Sequence, residues 1–319
     1  MRPIPTFLLA LVAMIAATAC AAEPTLLEAD TRLARIAWRL TTANAALCRE
    51  RQPVTGATLH AVDQYPAGAF GDTLPAAAVL VELVLPGTPA DRAGLRENDG
   101  LLAVAGQPVP VAAAQGGVTS ATRNAAQALI AGRPVDAPLP LTIRHGTASS
   151  VVTVQPVPGC RVEFEVMAGN KIGASSDGQV IQIGGRLFRL FDDDQVAVVV
   201  AHELGHVVLR HRARLEAAGA TWGLLSEFGR NGRLFRQAET EADLMGAYLL
   251  RNAGYDPRSA ITFWRTQGGK VDGGLFRSRT HPSSKARAEA IAAELATMPA
   301  NAPTPYRPPL LARRDQPLQ

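Results

Sequence analysis

The apolar and polar positions along the chain fall into three successive textures. From Thr25 to Cys48 the apolar residues Leu33, Ile36, Ala37, Leu40, Ala43 and Leu47 recur at helical spacing, which predicts one amphipathic helix. The stretch after it is rich in Gly, Pro and Val. It reads as strands at Val79–Val84, Leu101–Ala105, Leu139–Arg144 and Ser150–Gln155, with a helix over Ser120–Ala131. From Cys160 a mixed pattern returns. Val162–Met167 alternates like a strand, and Gln179–Ile183 is expected as a second one after a Ser-Ser-Asp-Gly turn. Asp192, Asp193 and Asp194 offer cap chemistry for a helix through Val196 to about Leu215. Further helices are expected over Ala238–Ala253 and Arg287–Met298. Beyond Pro299 the prolines Pro303, Pro305, Pro308 and Pro309 mark a tail expected to be mobile.

A length of 319 residues is enough for about two cores, and 47% hydrophobic with 19% charged residues is an ordinary globular balance. The formal charge of +4 is small and dispersed, without a Lys/Arg run, which argues against nucleic-acid binding. The N-terminus changes the picture more. Arg2 precedes an apolar run, Phe7–Ala17, too short for a typical membrane span, so residues 1–19 read as an export signal. Ala17-Thr18-Ala19-Cys20 allows two readings: a lipoprotein cleavage site that would lipidate Cys20, or an ordinary signal-peptidase site. Ala17 stands where a lipobox more often has Leu. In an oxidising compartment the remaining pair, Cys48 and Cys160, fits one disulfide.

The candidate chemistry begins at His202-Glu203-Leu204-Gly205-His206. On a helix the i,i+4 spacing puts both imidazoles on one face, where they can grip one zinc, with Glu203 beside them to take a proton from water. A catalytic zinc takes three protein ligands. A metzincin would supply Gly three and His six residues beyond His206, but Leu209 and Arg212 stand there. His211 falls about half a turn round a continuous helix from His202 and is expected to point away in a structural role. The remaining option is Ala238-Glu239-Thr240-Glu241-Ala242-Asp243. Glu239 can bind the metal, and Asp243, at i,i+4 on the same face, can orient a ligand imidazole. Glu241, about 200° round the helix from Glu239, is expected to be solvated or salt-bridged.

Two resemblances follow from longer stretches. Pro86-Gly87-Thr88-Pro89-Ala90-Asp91-Arg92-Ala93-Gly94-Leu95, the following Asn98–Val104 and the Gly106-Gln107-Pro108-Val109 turn make roughly residues 58–157 similar to a PDZ domain of the HtrA type. That implies a groove able to add a peptide as an extra strand, with Ala69-Phe70-Gly71 as candidate carboxylate loop. The alternative is a domain that only packs against its neighbour. His202–His211, Glu239–Gly246, Gly254–Trp264 and Thr280–Arg287, in that order, resemble the family 48 gluzincin metallopeptidases, the HtpX- and BepA-like periplasmic group. The resemblance implies that His281 lies over the zinc, steadying an oxyanion or plugging a latent site, and that Arg287 braces the same region. It also implies that the PDZ block is an insertion clasped by a Cys48–Cys160 disulfide, and that Gln179–Ile183 is the edge strand that holds substrate. Gly173-Ala174 departs from the Asn-Ala often found before that strand.

The expected fold is α+β: a mainly helical zincin-like metallopeptidase domain with a small β-sheet, plus an inserted PDZ domain of sandwich or barrel-like form. The expected division is a signal over 1–19, the N-terminal helix of the peptidase domain over 20–57, PDZ over 58–157, peptidase over 158–298 and a Pro-rich tail over 299–319. The expected function is a zinc-dependent endopeptidase of the cell envelope, one Zn²⁺ per chain, acting on unfolded envelope proteins. A PDZ peptide ligand is possible, and membrane contact is expected only through a lipid anchor. The competing reading is a PDZ-containing binding or chaperone-like protein with a latent or inactive metal site.

Overall fold

The computed structural model describes residues 24–66, 69, 77–111, 117–222, 228–271 and 282–319. The export signal, Cys20, Phe70, Gly71 and His281 lie outside them. The architecture is α+β. Among the described residues no helix is long and apolar enough to cross a membrane.

Helix α1 (Leu26–Ala43) begins where Thr25 and Glu28 cap each other: the Thr25 hydroxyl accepts from the Glu28 amide at 3.2 Å, and the Glu28 carboxylate accepts from the Thr25 amide at 2.6 Å. Leu33, Ile36 and Leu40 are buried along one stripe. The helix stops short of Cys48. The Asn44 side-chain amide donates to Leu40 O at 2.9 Å and Leu249 O at 3.0 Å, and a 3₁₀ turn over Ala45–Leu47 follows.

The chain leaves this region through β1 (Arg51–Val54) and returns through β8 (Val157–Cys160), antiparallel from Arg51 opposite Cys160 to Val54 opposite Val157. The Cys48–Cys160 disulfide clasps the same point, with 5.4 Å between Cα atoms and 112 residues of sequence separation. Between these strands lie β2 (Ala57–Ala61), β3 (Val79–Val84), α2 (Pro89–Arg92), β4 (Gly100–Val104), β5 (Gln107–Pro108), α3 (Ala121–Ala131), β6 (Leu139–His145) and β7 (Ala148–Val154). They enclose a core of their own that includes Val79, Leu101, Val104, Leu139, Ile143 and Val154. The antiparallel sheet runs β2-β3-β4-β6-β7, with β5 paired to β4, so among the described residues β2 is an edge.

The second core joins α1 to β9 (Glu163–Met167), β10 (Ala174–Ser176), β11 (Val180–Gly184), α4 (Gly185–Leu190), α5 (Asp193–Val208), α6 (His211–Ala217), α7 (Gly229–Asn252), α8 (Arg258–Thr266), α9 (Gly268–Val271) and α10 (Ser284–Ala296). The strand expected at the substrate edge is central instead: the order is β10-β11-β9, β11 running antiparallel to β10 and parallel to β9. The Ser-Ser-Asp-Gly segment supplies the reason. The Asp177 carboxylate accepts from the amides of Gln179 (2.8 Å) and Val180 (2.7 Å), and this tight turn folds Ala174–Ser176 back as a further strand.

Two helices also depart from periodicity. The expected single helix through Leu215 breaks after Val208, because Arg210 takes a left-handed conformation (φ 56°) and α6 starts afresh at His211. Helix α7 starts at Gly229, ahead of Ala238, because Leu234 and Phe235 are buried with Leu215 and Leu318 despite the weak helix propensity of the glycines around them. The tail expected to be mobile is docked. Pro309–Asp315 form a 3₁₀ helix whose Leu310 and Leu311 enter the second core, and Arg314 donates to Leu47 O at 2.9 Å. The proline content masked this apolar pair.

Replacing Cys48 and Cys160 by serine should lower stability by about 2–5 kcal/mol, read as an earlier urea midpoint than that of the oxidised protein.

Candidate metal centre

Helix α5 is built to be buried. The Asp192 carboxylate accepts from the Gln195 amide at 2.8 Å at its start, and Val196 to Ala201 carry the helix into the core. Its approach to α7 then sets the site. A Cβ on Gly205 would lie 2.8 Å from Ala242 O, and one on Gly246 would lie 3.1 Å from His202 N, so the two helices touch backbone to backbone at both glycines. That contact brings Glu239 and Asp243 of α7 against the two histidines of α5.

The His202 and His206 Nε2 atoms are 3.2 Å apart. Glu239 Oε2 is 3.4 Å from His202 Nε2, and Glu239 Oε1 is 3.5 Å from His206 Nε2. Ligand atoms each about 2.0 Å from one tetrahedral zinc stand about 3.3 Å apart, so all three separations match a shared ion. Among the described residues this is the one group of three His, Cys, Asp or Glu side chains that could hold a metal. When each ring carries its proton on Nδ1, toward Asp243 and His211 respectively, the two Nε2 lone pairs face each other, and a metal ion or a further proton between them relieves the repulsion. Burial opposes charge on His202, but the charge and hydrogen bond of Asp243, helped by Glu239, override it and carry the ring up to about 10. At His206 burial dominates and holds the ring well below its ordinary value. Glu203, beside His202 on α5, is buried, as are His202 and Glu239.

Residues 165–226 and 215–295 match the model described as peptidase family M48, and residues 80–144 match the one described as PDZ domain. The chain carries an M48 peptidase domain and a PDZ domain. Mitochondrial metalloendopeptidase OMA1 of Schizosaccharomyces pombe is 33% identical over 135 residues, covering 36% of this chain and 40% of that protein. Metalloprotease YcaL of Escherichia coli is 26% identical over 166 residues, covering 44% of this chain and 65% of that protein. The Escherichia coli beta-barrel assembly-enhancing protease is 30% identical over 145 residues, covering 34% and 29%. The chain spans less than two thirds of the length of each of these relatives.

His202 and His206 are each held from behind by a different device. On His202 the Nδ1–H donates to Asp243 Oδ1 at 2.9 Å. Arg287 then grips that carboxylate bidentately, its Nε and Nη2 each 2.6 Å from an oxygen. Burial works to raise Asp243, but the Arg287 guanidinium, and after it His202, hold the carboxyl below its ordinary value. Trp264 lies under the guanidinium, 3.3 Å from ring centroid to Arg287 Cζ.

Behind His206 stands His211, which the sequence reading turned away from the site. The break at Arg210 swings it back until its Nδ1 is 2.9 Å from His206 Nδ1. With His206 Nε2 facing the metal position, its Nδ1–H donates to His211 Nδ1. The His211 Nε2–H then donates to Glu241 Oε2 at 3.2 Å. Glu241 is buried rather than solvated, and accepts from Arg214 at 2.7 Å, Gln237 at 2.9 Å and Arg313 of the tail at 3.3 Å. Burial alone would raise it; the hydrogen bonds from His211, Arg214 and Gln237 bring it down to about 2. No helical spacing could have found His211, since its position depends on a non-glycine residue at positive φ.

His211→Leu should weaken zinc affinity by about 10- to 100-fold in a chelator competition, whereas His211→Asn, whose side-chain carbonyl can still accept from His206, should retain most of it. Equal losses in both variants would show that His211 acts through packing alone.

Proposed function

We propose that the chain is a zinc-dependent endopeptidase of the bacterial cell envelope, binding one Zn²⁺ per chain and cleaving unfolded or misassembled proteins. The observation that carries this reading is the convergence of His202, His206 and Glu239 at separations of 3.2–3.5 Å, with Glu203 adjoining. Zinc held there would polarise a scissile carbonyl and lower the pKa of a water toward neutrality. Glu203 takes the proton of the attacking water and returns it to the leaving amine. Asp243 and Arg287 keep His202 in the tautomer that presents Nε2, and His211 with Glu241 do the same for His206. His281, which precedes α10 in the sequence, serves the developing oxyanion. Substrate pairs in extended form along β10, the sheet edge that packs against α5.

The envelope assignment is supported by the export-type N-terminus and by the Cys48–Cys160 disulfide, which suits an oxidising compartment. The name of one relative refers to β-barrel assembly, in keeping with envelope substrates. Cys20 is the lipidation position of an outer-membrane-anchored form, and the PDZ domain serves substrate recognition or regulation.

Zinc-loaded wild type should cleave casein, and Glu203→Gln should lose about 10²- to 10⁴-fold in rate while keeping its zinc by elemental analysis. An active Glu203→Gln protein would remove Glu203 as the base. A zinc-loaded wild type that leaves casein intact would turn the reading toward a PDZ-containing binding protein with an inert metal site.

A further inference from the structure

Two sheets end on the same cavity. Strand β2 closes the PDZ sheet and β9 closes the peptidase sheet, and both line a cavity of about 390 Å³. Helix α3 supplies Arg123 and Gln127 to its wall, and α1 supplies Leu33, Ala37 and Asp30. An edge strand beside a helix can take an extended segment as an additional strand. Here the opposite wall of that groove belongs to the other domain.

The charges on this wall do not balance. Four carboxylates line the cavity: Asp30 of α1, Glu82 of β3, and Glu163 and Glu165 of β9. Arg123 pairs with Glu165. Glu163 accepts from the side-chain amides of Gln127 at 2.9 Å and Gln52 at 3.2 Å. Glu82 accepts only a neutral donor, the Thr58 hydroxyl, at 3.1 Å. Among the described residues no Lys, Arg or His nitrogen lies within ion-pair distance of either Glu82 or Asp30. Burial, then the Glu82 charge, raises Asp30 to about 7 despite Arg123, and burial raises Glu82 as well. His60 on β2 does not compensate: burial pushes it down, and its Nδ1 is engaged with Tyr65 Oη at 2.7 Å. Its Nε2 is buried without a hydrogen-bond partner.

We propose that this interdomain cavity binds an extended peptide segment along β2 and selects a Lys or Arg side chain, which sits between Glu82 of the PDZ domain and Asp30 of the peptidase domain. A bare metal ion fits less well, since no three ligand groups converge at this wall among the described residues. A basic side chain brings one cation on a long apolar stem, suited to a cavity whose walls also include Leu33 and Ala37. Because the two acids come from different domains, an occupied cavity ties the domains together. The inference deepens the proposed role of the PDZ domain in recognition and does not depend on the zinc chemistry.

The test uses full-length Glu203→Gln protein, so that nothing is cleaved, and fluorescein-labelled decapeptides of alternating Val and X, with X as Lys, Gln or Glu. By fluorescence anisotropy the Lys peptide should bind about tenfold more tightly than the Gln peptide, and the Glu peptide more weakly still. Asp30→Asn and Glu82→Gln, each a neutral isostere, should each erode this preference and together abolish it. Glu97→Gln, which removes an exposed charge elsewhere on the PDZ domain, should leave it intact. The Lys preference should also grow from pH 6 to pH 8, as Asp30 and Glu163 on the same wall, both raised to about 7 chiefly by burial, take up their charges. No binding of the Lys peptide, no Lys preference, or a preference that survives the double replacement would overturn the proposal. A zinc-loaded wild type that leaves casein intact, with the Lys preference retained in the Glu203→Gln protein, would strike only the endopeptidase reading.

Discussion

The candidate centre depends on the bare contact between α5 and α7. Two glycines, Gly205 and Gly246, let the backbones meet without side chains between them. One helix then presents its histidines at the depth where the other presents its carboxylates. A methyl group on Gly205 would meet a backbone carbonyl, which cannot swing aside as a side chain can. The spacing of three donor atoms to within a few tenths of an ångström is therefore a property of helix packing before it is a property of the ligands.

Gathering three histidines, two carboxylates and three arginines around that contact is tolerable because the polar atoms are arranged in series. One series runs from His202 through Asp243 to Arg287, which stacks on Trp264. The other runs from His206 through His211 and Glu241 to Arg214, with Arg313 arriving from the C-terminal segment. Each proton position in a series is set by the next member, so removing an outer arginine would disturb the imidazole two bonds inward. The C-terminal segment, which touches no candidate ligand, is in this way part of the centre's support.

What the sequence disclosed and what it hid divide along a physical line. Local regularities were legible: the Leu33–Leu40 stripe of α1, the Val79–Val84 strand, the i,i+4 pair of histidines and the Glu239–Asp243 pair on a second helix. The M48 and PDZ resemblances rested on such stretches and agree with the family models that match. Irregular backbone was hidden. A left-handed Arg210 turned an outward-facing His211 into the neighbour of His206, and an Asx turn at Asp177 supplied an extra edge strand. Helix α7 began early and the tail docked because of tertiary burial at Leu234, Phe235, Leu310 and Leu311, which local propensity does not register. His281 lies beyond the described residues, so its role stays with the proposal.

The paired strands β1 and β8 have an architectural consequence. The polypeptide departs from and rejoins the peptidase fold at one pair of adjacent strands, with a covalent rivet at their root. From the peptidase side the intervening segment is a closed loop whose two ends coincide. The entropic cost of such a loop rises by only about 0.6 kcal/mol for each doubling of its length. The helical core is thus nearly indifferent to the size of whatever is mounted there, and the junction works as a socket into which a domain of different bulk could be grafted without re-threading the fold.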